Sequence, residues 1–172
     1  MTTSILDDAF AHHVWATVRV IETCEGLTEE QLGTPVPGTY GSIIDTLRHL
    51  VTADSAYLWA LSRWRIDPID EEAEWSLAEM RSVMSANGPE WAAVAAGQMD
   101  PDEDLVPRPE YDPVGGHAPT GIRLAQVVHH GTDHRSQVCT ALSSLGVTPP
   151  LIDVWDFAEA TGRDRGMPAP VD

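Results

Sequence analysis

An all-α fold, a four-helix bundle with a short C-terminal helix, is predicted by three observations. Four segments carry apolar residues at spacings of three and four, the period of a helix with one buried face. Three of those segments open on a serine suited to capping, and prolines and glycines fall between segments far more than within them. Runs of alternating apolar and polar residues, the mark of half-buried strands, are nearly absent.

The first helix covers residues 4–25. Ser4 caps it, and Leu6, Phe10, His13, Thr17, Val20 or Ile21 and Cys24 trace one stripe before Gly26 ends it. Pro35 and Pro37 make residues 33–41 a connecting loop. Ser42 caps a second helix over 42–66, with Ile43, Leu47, Leu50, Asp54, Tyr57 or Leu58, Leu61 and Trp64 recurring at three and four. Asp54 interrupts that apolar stripe, so it either has a buried partner or marks the stripe as misplaced. An acidic linker follows at 67–75. Ser76 starts a third helix reaching about Gly97, with a break or kink expected at Gly88-Pro89.

Residues 98–119 hold five prolines and cannot form one regular element, though the loop has room for a short strand or two. The fourth helix runs from about Thr120 to Leu145 and stops at Gly146, ahead of Pro149-Pro150. A short helix at 152–161 and a frayed tail beyond Gly162 complete the reading. At 172 residues the chain fits one domain, 1–172, and no internal repeat is visible.

Charge narrows the range of partners. The formal net charge is −17, which opposes binding to a nucleic-acid backbone or an anionic membrane. Thirteen acids lie between Asp67 and Asp112 against only Arg81 and Arg108, a segment read as solvated acidic surface. All ten basic residues are arginine, so Schiff-base chemistry, pyridoxal phosphate attachment and a P-loop lysine are excluded. Cys24 and Cys139 lie far apart on helical apolar patterns and read as free thiols. Asp7 and Asp8 stand where a signal peptide would be positively charged, and no long apolar run follows; a cytoplasmic protein is expected.

The chemistry concentrates in the segment 128–137. His130 and His134 are four residues apart on one helix face, inside the stripe Val127, His130, His134, Val138 and Ala141. Two imidazoles on a core-facing stripe each need a partner, and one divalent metal satisfies both. Spacing alone leaves the third ligand open among His12, His13, His49, His117 and His129. His129 projects about 100° away from His130, and His117 falls in the loop. His49 is attractive because its own face is Thr46, Ala53, Ala56 and Ala60, small residues that permit close helix approach; alanines are also simply good helix formers.

Around these histidines, Asp45 and Asp54 are candidate outer-shell partners for a ligating imidazole. His13 reads as a core histidine or a pocket-lining one. Gln137 is a candidate for orienting a substrate or a backbone group, and Arg135 reads as a structural ion-pair residue. No G-x-S-x-G, GxGxxG, H-E-x-x-H or CxxC motif is present.

The chain resembles the DinB-like superfamily of metal-dependent four-helix proteins over roughly residues 6–160. The carriers are Trp15-Ala16, Gly41-Ser42-Ile43 followed by Thr46-Leu47-Arg48-His49-Leu50, the HxxxHRxQ segment His130–Gln137, and Leu145-Gly146-Val147-Thr148-Pro149-Pro150. The resemblance implies that His49, His130 and His134 hold Zn²⁺, Ni²⁺ or a similar divalent transition metal, in a bundle with a long crossover that is often a homodimer. Relatives commonly carry histidine where this chain has Asp133, and some where it has Gln126. Three neutral imidazoles leave a tetrahedral metal one open position, for water with its pKa lowered to around 7 or for a substrate thiol. The resemblance implies, accordingly, a small-molecule substrate and a low-molecular-weight thiol cosubstrate such as mycothiol or bacillithiol. The competing expectations are a metal-dependent hydrolase and a non-catalytic metal-stabilised stress or ligand-binding protein.

Overall fold

The computed structural model describes residues 4–97, 99–105 and 118–166. Its helices are α1 (Ile5–Cys24), α2 (Glu29–Gly33), α3 (Ile43–Leu61), α4 (Leu77–Ala96), α5 (Thr120–Ser144) and α6 (Val154–Ala160). A two-residue antiparallel ladder, β1 (Asp104–Leu105) with β2 (Ala118–Pro119), sits just ahead of α5. The fold is the all-α bundle expected, and the loop after α4 does hold short strands. His117, one of the alternatives for a third ligand, lies outside the described residues, as does the tail beyond 166.

Local chemistry starts α1, α3 and α4, and stops α5, where the sequence says it should. Ser4, Ser42 and Ser76 each cap a helix through the side-chain oxygen, and Ser4 and Ser76 form reciprocal capping boxes with Asp7 and Glu79. Gly146, at φ +74, takes the left-handed conformation that ends α5. The same logic builds α2, an element beyond those expected: Thr28 and Gln31 form a capping box for one short helix.

Two expectations change. The second long helix ends at Leu61 rather than 66, because Arg63 and Trp64 turn to positive φ (58 and 63). The Trp64 N–H closes the helix end on the Trp59 carbonyl at 2.8 Å, and Trp59, not Trp64, is the buried tryptophan there. Nothing in the residue types at 62–64 announces this stop. Gly88-Pro89 does not break α4, which is continuous from 77 to 96. Buried Met84 and Asn87 before the proline, and Trp91 and Val94 after it, hold both halves against the core.

The four long helices pack as a ring: α1 lies on α4 and α5, and α3 lies on the same two. Phe10 stacks on Trp91 while Arg81 reaches Glu25, so α1 and α4 run antiparallel. Tyr57 meets Gln126 and His49 meets His130, so α3 and α5 also run antiparallel. Phe10 shares a cluster with Val127, and Cys24 shares one with Leu142, which makes α1 and α5 parallel. It follows that α3 and α4, consecutive in sequence, are parallel too. Residues 62–76 must therefore travel back along α3, roughly 28 Å at 1.5 Å per residue. This is the long crossover, and it runs as a strap past the middle of α3.

The core is two apolar clusters with a polar layer between them. One gathers Val20, Leu47, Met84 and Leu142 with their neighbours, and the other Phe10, Leu58, Trp91 and Val127 with theirs. His13, Asp54, Asn87 and Arg135, one from each long helix, occupy the level between and are all buried.

Candidate metal centre

The antiparallel contact of α3 with α5 brings His49, His130 and His134 together. One ligand-type nitrogen from each lies within 4.8 Å of the others, and His49 Nε2 stands 3.1 Å from His130 Nε2. The three rings meet edge to face, with centroids 4.4–5.0 Å apart. A tetrahedral ion with nitrogen ligands at about 2.0–2.1 Å keeps those nitrogens about 3.3 Å apart. The first pair already has that spacing, and the remaining separation closes by roughly 1.5 Å at most. The donor set, three imidazoles with no competing carboxylate among them, suits a borderline transition metal.

Each ring is oriented by something other than its neighbours. Nδ1 of His134 donates to Gln137 Oε1 at 3.0 Å, leaving Nε2 as the lone pair. Gln137 is itself fixed: Oε1 also accepts the Tyr40 backbone N–H at 3.0 Å, and Nε2 donates to Asp133 Oδ2 at 3.0 Å. Asp133 thus supports His134 through Gln137. The Tyr40 ring covers His49 face to face, 4.2 Å away at 9°, and presents its edge to His134. Tyr57 meets the His130 ring edge-on and accepts from Gln126 at 3.4 Å.

Electrostatics favours the protonation state a metal needs. Burial, followed by the neighbouring His134 and His49, pushes the His130 imidazole down to about 4. Burial and His134 lower His49 as well, with Glu71 acting in the opposite sense. Both rings are therefore neutral near pH 7, with lone pairs available for a cation.

The polar layer lies directly behind this site. Asp54 accepts from His13 Nε2 at 2.7 Å, from Asn87 Nδ2 at 2.9 Å and from Trp91 Nε1 at 3.1 and 3.2 Å. On the other edge of His13, Nδ1 receives Arg135 Nη1 at 3.1 Å, and Arg135 also donates to the Thr17 hydroxyl at 3.1 Å. Since arginine only donates, His13 is the neutral tautomer with its proton on Nε2. Burial lowers the Arg135 guanidinium to about 10, and it remains charged. One helix turn from His134 and adjacent to His130, Gly131 makes the approach possible. A Cβ there would sit 2.5 Å from His13 Nδ1 and 2.8 Å from Arg135 Nη1.

The other expectations sort accordingly. Asp54 is the buried partner foreseen, but it serves His13 rather than a member of the triad. Asp45 is spent on helix capping, its Oδ2 accepting from Ser42 Oγ at 2.5 Å. His13 is a satisfied core histidine, and Arg135 faces an imidazole instead of a carboxylate. Gln137 does bind a backbone group. His12 pairs with the Ile152 carbonyl at 2.8 Å, and His129 is exposed on another side of α5. Cys24 and Cys139 are free thiols, the former pushed up to about 12 by burial. Sequence reasoning missed Tyr40, and it missed Glu71, whose Oε1 is 3.8 Å from His49 Nδ1. The first sits in a loop and the second in a run of acids, so no local pattern marks either.

A helical bundle with a polar layer and an interhelical cluster of three histidines defines the class: an α-helical protein able to hold a divalent metal between two of its helices. The model of the DinB family matches residues 1–167, and the chain belongs to that family. No curated protein matches the chain. Among the described residues no helix is long and apolar enough to cross a membrane.

Proposed function

We propose that this protein is a metal-dependent enzyme whose His49, His130 and His134 hold a zinc or nickel ion that activates a low-molecular-weight thiol for transfer to a small electrophile. The observation that carries the reading is the convergence of three imidazoles from α3 and α5 with no carboxylate in the set. A divalent ion held by three neutral imidazoles supplies Lewis acidity and lowers the pKa of a thiol or water at its remaining position. The chain's own residues supply orientation: Gln137 sets the His134 tautomer, and the Tyr40 ring holds His49 flat against the site. Tyr40, 56% exposed, also forms a wall on the solvent side against which a substrate would lie.

We further propose that the protein acts as a homodimer. Leu151, just ahead of α6, and Val154 and Trp155 in its first turn support this, being 72%, 57% and 80% exposed.

Elemental analysis of the untagged protein beside His49→Ala, His130→Ala and His134→Ala tests the metal. Near-stoichiometric metal in the wild type and its loss in all three variants is the expected result. A screen of thiols against electrophiles then tests the chemistry. Turnover that needs no thiol assigns a hydrolase, and no turnover with either nucleophile assigns a metal-stabilised, non-catalytic protein.

A further inference from the structure

The crossover strap turns one carboxylate toward the site. It is pinned on both sides of that point: the Ile69 N–H donates to Ser55 Oγ at 3.1 Å, and the Trp75 carbonyl accepts from Arg48 Nε at 3.2 Å. The Trp75 indole N–H donates back to the Asp70 carbonyl at 2.7 Å, closing the segment on itself. Ile69 and Trp75 also pack against the apolar core. Between these anchors Glu71 places Oε1 3.8 Å from His49 Nδ1. That nitrogen is buried and has no hydrogen-bond partner, while Nε2 of the same ring faces His130. A buried donor left unpaired is unfavourable, and its nearest acceptor is a carboxylate on an exposed, rotatable side chain.

We infer that Glu71 is the outer carboxylate of the metal centre. It accepts the Nδ1 proton of His49, which fixes the tautomer that offers Nε2 to a divalent transition metal and makes that nitrogen more basic. Rotation of a side chain that is 71% exposed closes the gap, whereas the His49 ring is held under Tyr40. Glu71 touches the ligand and not the metal, so it is a positioning residue. The acidic linker thus contributes one acid to the site, and the reason is topological: parallel α3 and α4 oblige the strap to pass His49. The inference rests on the metal-binding reading above.

Zinc affinity of the full-length protein, measured by competition with a chromophoric chelator, tests it. The comparison sets wild type beside Glu71→Ala, Glu71→Asp and Glu72→Ala, with the melting temperature of each metal-free form. Glu72 carries the same charge in the same segment but forms no ion pair with the triad. Glu71→Ala is expected to weaken zinc binding about tenfold or more, with part of the loss recovered in Glu71→Asp. Glu72→Ala should bind as the wild type does, and all metal-free forms should melt together. Wild-type affinity in Glu71→Ala overturns the assignment and leaves the triad standing. Equal weakening in Glu71→Ala and Glu72→Ala also overturns it, by tracing the effect to overall charge. A wild type that binds no zinc overturns the triad reading and this inference with it.

Discussion

His130 shows how much a single side chain depends on its surroundings. Its helical spacing from His134 was legible in the sequence, but its low pKa was not, because that comes from burial and from two imidazoles on other turns and another helix. An unfolded chain protonates histidine near pH 6.5. Between about pH 6.5 and 4 the unfolded state therefore binds a proton that the native state refuses. His130 contributes to metal-free stability fully above that window, and the contribution is lost as pH falls through it. The melting temperature of the metal-free wild type should drop more steeply from pH 7 to 4.5 than that of His130→Ala. Parallel curves would remove the assignment.

Helix caps and apolar stripes were readable because they depend on residues a few positions apart. The caps at Ser4, Ser42 and Ser76 and the stop at Gly146 are of this kind. The unbroken α4 and the early end of α3 were not readable, since tertiary packing around Trp91 and the backbone turn at Arg63-Trp64 decide them. Contacts between elements are hidden for the same reason: Gly131 looks like an ordinary mid-helix glycine until α1 lies across it. His13 is held by Asp54 on one side and Arg135 on the other, so it cannot yield to a new methyl group. Gly131→Ala should cost about 1–3 kcal/mol in urea unfolding. It should also weaken metal binding, because the strain falls on the turn of α5 between His130 and His134. An unchanged denaturation midpoint would show that α1 shifts freely over α5.

At the scale of the molecule, the charge of −17 and the apolar strip at the start of α6 pull in opposite directions. Two copies joined through Leu151, Val154 and Trp155 bring like charges together, so added salt should favour the dimer by screening them. Light scattering at low and moderate ionic strength reads this directly, and Trp155→Asp should shift the mass toward the monomer. A monomeric wild type at both salt concentrations would rule out association through this strip. The ring order of the helices carries another consequence, one of timing. His49 and His130 are 81 positions apart. A ribosome adding about 5–20 residues per second takes on the order of 4–16 s to go from one to the other. During that interval the nascent chain offers one member of the triad rather than all three, so an ion held by the full set would join a chain whose last long helix is already under way.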